Sequence, residues 1–251
     1  MTEKEFYDSL NTAESTANGF NRLTRNQQLN AAYPVLMRKV FTWMALALAI
    51  TGVVAWGVAS SPAFVATLYQ SSGLLIGLCI AEIALVWYVS ARIQKLSLQT
   101  ATTLFIIYSV LNGVTLSSIF LVYTMTSITS VFFITAGTFA AMALYGATTK
   151  KDLSKFGSLL FMALLGLIIA TVVNMFVRSS GFSLIISYVG VLLFVGLTAW
   201  DTNQIKNALQ NYAMDLSEGS QKIALLGALN LYLDFINLFL YLLRIFGRSD
   251  N

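Results

Sequence analysis

Long apolar segments are the feature that most constrains how this 251-residue chain can fold. A helix needs about 20 apolar residues to cross a bilayer, because each residue adds about 1.5 Å. Uninterrupted runs of this length exclude a transmembrane β-barrel, whose strands are short and alternate apolar with polar residues. The sequence therefore predicts an all-α integral membrane protein with seven transmembrane helices, at residues 35–59, 72–92, 100–123, 128–148, 158–177, 182–204 and 222–246.

Composition supports a membrane protein and excludes several kinds of chemistry. Charged residues make up 10% of the chain and the mean hydropathy is +0.73, whereas a soluble domain is about 25% charged. Histidine is absent, which removes histidine metal sites, Ser-His and Cys-His catalysis and any histidine pH switch. The single cysteine, Cys79, permits no disulfide within the chain.

Charge placement predicts the domains and the orientation. Residues 1–33 form a polar tail, and residues 34–248 hold the seven spans. Of the fifteen Lys and Arg residues, only Arg178, Arg244 and Arg248 fall on the side opposite the tail. Since basic residues concentrate on the cytoplasmic side, the amino terminus is predicted to be cytoplasmic and the carboxyl terminus outside. The same rule accounts for the net charge of +4, so no nucleic-acid partner is expected.

The last apolar segment carries a polar stripe through its centre. Asn230, Asp234, Asn237 and Tyr241 are spaced by four, three and four residues, which places them on one face of a helix. A carboxylate at the middle of a membrane helix costs about 2.5–3.5 kcal/mol, so Asp234 requires compensating partners. This pattern is typical of a helix held inside a bundle, with its stripe toward other helices or water.

Two aspartates in the last two spans are the leading candidates for function. Asp201 lies toward the cytoplasmic end of the sixth span and Asp234 lies in the seventh. If their carboxyl groups meet, both cannot ionise at low cost, and the pair shares a proton and titrates as one unit. The ionised pair would also suit a hard cation such as Ca²⁺, which prefers oxygen ligands. Arg92, at the cytoplasmic end of the second span, is predicted to latch onto Asp201.

The other polar groups inside the spans are predicted to line the interior or a pore. They are Glu82, Asn230 and Asn237. Structural alternatives stay open, because Glu82 can be a hydrogen-bonded structural acid and Asp201 can lie at the membrane interface. In the fourth span, Ala136, Ala140, Ala143 and Ala147 share a face, and small residues of this kind usually allow a neighbouring helix to approach closely.

Four motifs occur in order along the chain, together with the Glu82 helix: GVTLSSIF in the third span, TKKDLS after the fourth, LTAWDTNQIK in the sixth and LNLYLDFINLFLYLLRIFG in the seventh. They resemble those of the Bax inhibitor-1 family, with a bacterial-type member as the nearest pattern. The resemblance covers residues 30–248. It implies a seven-helix bundle whose last helix is surrounded by the other six. Asp201 and Asp234 match the family's paired aspartates, and Arg92 matches approximately the arginine that latches them.

The resemblance also implies a function. It implies a pH-sensitive calcium leak in the bacterial inner membrane, with Ca²⁺ as the transported or bound ion, membrane lipid as the surroundings and no other cofactor. The alternative is an interaction protein that modulates a membrane-bound protease or a stress or cell-death response through a membrane protein partner. No enzyme is expected. The chain lacks the GxGD and Pro-Ala-Leu motifs of intramembrane aspartyl proteases and the histidine of a rhomboid protease. It also has no lysine inside the seventh span for a retinal pump.

Overall fold

Helices account for nearly all the regular structure in the computed structural model, which describes residues 3–70, 72–212 and 216–248. A single 3₁₀ turn, Ser154–Phe156, precedes α7. The α-helices in these ranges are α1 (Glu3–Ala59), α2 (Pro62–Gln70), α3 (Ser72–Arg92), α4 (Leu98–Leu116), α5 (Ile119–Val122), α6 (Met125–Thr148), α7 (Gly157–Val177), α8 (Ser180–Tyr212) and α9 (Glu218–Phe246).

Within the described ranges, seven stretches are long and apolar enough to span a membrane, which confirms the predicted fold class. The sixth span differs most from its prediction, because α8 continues past residue 204. The spans are Ala31–Ala59, Gly73–Arg92, Leu98–Val122, Met125–Thr148, Ser154–Val177, Ser180–Asn211 and Glu218–Phe246.

The first helix begins far before the first span. The backbone is helical from Glu3 to Ala59 and passes through Pro34, where the sequence indicates a boundary. Proline inside a helix removes one backbone hydrogen bond and costs about 3 kcal/mol. Burial of the residues that follow offsets this cost, since Leu36 and Val40 are fully buried. The division between a tail and a membrane domain near residue 34, and the cytoplasmic placement of the tail, stay predictions.

The last helix is the central one, as predicted, but four of the other six spans, rather than all six, pack directly on it. Within its span, 67% of the most apolar window is buried, against 6% for α3 and for α7. Helices α1, α4, α6 and α8 pack directly on α9, while α3 packs on α4 and α7 packs on α8. The bundle therefore consists of a core helix, four helices around it and two outer helices.

Two glycines allow the inner helices to approach closely. A Cβ atom at Gly113 on α4 would lie 2.8 Å from the Thr51 carbonyl oxygen on α1. A Cβ atom at Gly146 on α6 would overlap the backbone of Ala199 on α8. Both contacts are with backbone atoms, which cannot move aside as a flexible side chain can. The second contact holds α6 against the part of α8 that carries Asp201.

Candidate functional site

The carboxyl groups of Asp201 and Asp234 lie next to each other. Helices α8 and α9 form the most extensive helix pair of the bundle, and the two aspartates face each other across it in direct side-chain contact. Asp234 is 5% exposed and Asp201 is half-buried. Because two carboxylates have no proton to form a hydrogen bond with each other, this contact is favourable when the pair holds one proton.

A cavity of about 790 Å³ opens beside this pair, between α7, α8 and α9. Most of its wall is apolar, but the polar stripe of α9 faces into it. Besides the two aspartates, its oxygen-bearing lining residues are Asn230, Asn237, Tyr241 and Thr171. The side chain of Asn237 donates from Nδ2 to the Leu233 carbonyl oxygen over 2.8 Å. The structure thus brings Asp201, Asn230, Asp234 and Asn237 together around one space.

Two buried polar atoms in the wall of this cavity have no hydrogen-bond partner. Within the part of the chain that the structure describes, the buried side-chain atoms in this condition are Asp234 Oδ2 and Trp200 Nε1. Such atoms are rare in native proteins and usually face a water, an ion or a ligand. One is an acceptor on a lining residue of α9, and the other is a donor on a lining residue of α8. The sequence reasoning missed Trp200, although it directly precedes Asp201 in the motif LTAWDTNQIK.

The loop between α6 and α7 is tied to α8 one turn beyond Asp201. Asn203, which is 1% exposed, accepts from the Leu153 amide over 3.2 Å and donates to the Gly146 carbonyl over 3.2 Å. Lys206 Nζ donates to the Thr149 carbonyl over 2.7 Å. These contacts attach the loop to α8 on the cytoplasmic side of the aspartate pair in the predicted orientation. The sequence reasoning missed both residues, although Asn203 and Lys206 also belong to LTAWDTNQIK.

The same loop carries Asp152, whose carboxyl group is held in its ionised form. Asp152 accepts from the Ser154 amide over 2.9 Å. Hydrogen bonds from the Ser154 side chain and backbone hold the pKa of Asp152 below its usual range. Asp152 is therefore a fixed negative charge at neutral pH, outside the cavity.

Glu82 is interior but belongs to a different cluster. Thr115 Oγ1 donates to Glu82 Oε1 over 2.6 Å, and Asn112 Nδ2 donates to Glu82 Oε2 over 3.3 Å. Asn112 Oδ1 accepts from Tyr232 over 3.0 Å, and Tyr232 Oη lies 2.8 Å from Thr51 Oγ1. This chain joins α3, α4, α9 and α1. On a helix of 3.6 residues per turn, Tyr232 points about 200° away from Asp234, so the cluster lies on the opposite side of α9.

The structure does not bring Arg92 to the aspartate pair. Arg92 is exposed at the end of α3, a helix that packs on α4 and α2. The one ion pair among the described residues joins Lys222 and Glu218. A latching role for Arg92 stays a prediction.

A metal ion at the pair would depend largely on neutral oxygens. No group of three or more His, Cys, Asp or Glu side chains that could hold a metal occurs in the described ranges. Asp201 and Asp234 would therefore act with the amide oxygens of the cavity and with water.

Comparison with known proteins gives the family. The model of the family described as "Inhibitor of apoptosis-promoting Bax1" matches residues 34–251. The chain belongs to the Bax inhibitor-1 family. The membership confirms the resemblance in the sequence motifs, and the matched region of the family includes every candidate site residue discussed above.

Bacterial relatives of the Bax inhibitor-1 family are similar to the chain over most of its length. An Escherichia coli K12 protein, "Inner membrane protein YbhL", is 51% identical over 220 residues, which cover 88% of this chain and 94% of the relative. An uncharacterized protein of Borreliella burgdorferi is 44% identical, with 91% and 98% covered. A Rickettsia prowazekii protein is 42% identical, with 89% and 94% covered.

Proposed function

We propose that this protein is a pH-sensitive calcium leak channel gated by Asp201 and Asp234. The observation that carries the proposal is the contact between these carboxyl groups at the wall of a cavity inside the span region. We further propose that it resides in the inner membrane, as the name of its Escherichia coli relative states for that protein, with its amino terminus in the cytoplasm.

The cavity offers the ligands that a calcium ion prefers. Ca²⁺ takes about 6–8 oxygen ligands and accepts carboxylates, amide carbonyls and water. The ionised pair supplies two carboxylates, and Asn230 and Asn237 supply amide oxygens on the same wall. Water completes the shell. A site with few charges and several waters binds the ion loosely enough to release it, as conduction requires.

The pH response follows from the sharing of protons. When the pH is high, the pair is ionised, attracts Ca²⁺ and holds α8 against α9 through the bound ion. As the pH falls, protons replace the ion, and the shared-proton contact that remains is a weaker link between the two helices than the ion bridge. Asn203 connects α8 to the α6–α7 loop, so a displacement of α8 moves the loop that covers the cytoplasmic end. Calcium leak is therefore expected to rise as the pH falls.

Calcium flux into liposomes that contain only this protein tests the proposal. The internal indicator reports entry of Ca²⁺ at a series of external pH values. The proposal requires a protein-dependent flux that increases toward acidic pH. Empty liposomes are the control, and liposomes with protein that leak no faster than empty ones at any pH contradict the proposal.

A second candidate function is supported by the length of α1. The helix begins at Glu3, whereas the first span begins at Ala31, so a polar helical segment extends beyond the membrane region. Such a segment can bind a membrane protein partner, in line with a role in modulating a membrane-bound protease or a stress or cell-death response. Deletion of residues 2–30 separates the two functions. If the deletion abolishes the effect of the protein on the protease or on the stress or cell-death response but leaves calcium flux intact, the partner-binding function is favoured.

A further inference from the structure

A second cavity, of about 420 Å³, lies on another side of the central helix. Helices α1 and α6 both pack on α9, but they leave a cleft between them whose floor is Phe235. On the α1 side it is lined by Phe41, Met44 and Leu48. Its volume is within the range of about 300–1,000 Å³ that is usual for ligand pockets.

The α6 wall of this cleft is the alanine face noted in the sequence. Ala136, Ala140, Ala143 and Ala147 line the cleft, and their small side chains make it deep. The sequence pattern predicts close approach of a neighbouring helix here, whereas the structure leaves part of the face open, since Ala140 is exposed while Ala143 is buried. From Ala136 to Ala147 the wall is about 16 Å long at 1.5 Å per residue. This length matches one leaflet of a hydrocarbon core about 30 Å thick.

One end of the cleft is basic. Phe41 also lines a shallow surface pocket with Arg38, and Lys150 and Lys151 lie three and four residues beyond Ala147, which lines the opposite wall. All three cations are exposed, and none belongs to the ion pair present in the described ranges. Basic pockets between membrane helices on the cytoplasmic side are typical sites for acidic lipid head groups.

We infer that the cleft between α1 and α6 binds an anionic phospholipid. One acyl chain lies along the alanine face against Phe235, and the phosphate lies near Arg38, Lys150 and Lys151. This site is separate from the cavity of the aspartate pair, which lies between α7, α8 and α9. It does not depend on the proposed channel function.

Native mass spectrometry of the full-length protein tests the apolar part of the site. The protein is released from micelles that contain equal amounts of phosphatidylglycerol and phosphatidylcholine with the same acyl chains. The wild type is expected to retain one phosphatidylglycerol in preference to phosphatidylcholine. Ala140→Phe fills the cleft and is expected to remove the bound lipid. Ala141→Phe is the matched control, because Ala141 is exposed on the same helix and does not line the cleft.

Charge variants test the other end and do not disturb packing. Arg38→Gln and Lys150→Gln are each expected to lower the preference for phosphatidylglycerol about fivefold, the usual effect of one basic residue near an acidic membrane surface. Arg178→Gln, an exposed arginine at the opposite end of the bundle, is expected to leave it unchanged. Equal retention of the two lipids by the wild type overturns the inference. The inference is also overturned if the Ala140→Phe protein retains as much lipid as the Ala141→Phe protein.

Discussion

Tyr232 on the central helix donates a hydrogen bond to Asn112 on α4 over 3.0 Å. Tyr232 is fully buried and its ring packs edge-on against Phe105 and Tyr108 of α4. Since Asn112 also donates to Glu82, the contact fixes the rotation of α9 relative to α4 and α3. With Tyr232 held on one side, Asp234 on the other side faces α8. We therefore assign the Glu82 cluster a positioning role for the aspartate pair.

Removing the Tyr232 hydroxyl group is expected to destabilise the bundle. Tyr232→Phe leaves Asn112 Oδ1 buried without its donor, and an unsatisfied buried group costs about 1–3 kcal/mol. Thermal unfolding in detergent measures the loss. Tyr188→Phe, at a position 52% exposed, is the control and is expected to leave the midpoint unchanged. If the two variants unfold at the same midpoint temperature, the positioning role of the Glu82 cluster is contradicted.

The loop contacts of Asn203 make a separate prediction. Asn203→Ala removes the partners of the Leu153 amide and the Gly146 carbonyl, so the α6–α7 loop is expected to loosen and the calcium leak at neutral pH to rise. Labelling of a cysteine placed at the buried Leu153 position, with Cys79 replaced by serine, reports the loosening, and liposome flux reports the leak. Asn211→Ala, at an exposed position near the end of α8, is the control. If the loop loosens but the calcium leak does not change, the α6–α7 loop takes no part in gating.

The predicted orientation is tested by reporters. The charge asymmetry predicts that a reporter fused after Asn251 lies outside the cytoplasm and that one inserted between Lys150 and Lys155 lies inside. Paired alkaline phosphatase and green fluorescent protein fusions at each position measure this. If both reporters lie on the same side of the membrane, the result contradicts the three spans predicted between the two positions.

A fourth prediction concerns Arg92. The latch hypothesis predicts that Arg92→Ala raises calcium leak at neutral pH. Thermal stability should not change, because Arg92 is exposed. Lys95→Ala, exposed one turn further along, is the control. If the Arg92→Ala variant leaks calcium at the wild-type rate, the latch hypothesis is wrong, but the proposed role of the aspartate pair is unaffected.

The fold was largely predictable because the bilayer limits the possible structures. Each span must be an apolar helix of sufficient length, so the sequence alone locates the seven of them. The central position of α9 is consistent with the spacing of Asn230, Asp234 and Asn237, since a polar stripe in a membrane helix must face protein or water. Local propensity alone would end a helix at Pro34, but α1 continues through it because the packing of Leu36 and Val40 stabilises the helix there.

The details of the site depend on helix rotation, which the sequence does not specify. Glu82 and Asp234 are both acids inside spans, yet they lie on opposite sides of α9. Trp200 has no charge and resembles an ordinary apolar residue in the sequence, whereas the structure shows it lining the cavity beside Asp201 with a buried, unpartnered Nε1. The alanine face of α6 shows the same limit, because small residues suit a helix or a lipid chain equally well.

The most direct test of the account is the pH dependence of calcium flux in liposomes with the aspartates replaced. Asp201→Asn and Asp234→Asn should each flatten the pH response, and the double variant should add little to either, because the two carboxyl groups titrate as one unit. Asp152→Asn, which removes an exposed carboxylate outside the cavity, should keep the response of the wild type. A full pH response in both single aspartate variants of the pair would contradict the proposed gate.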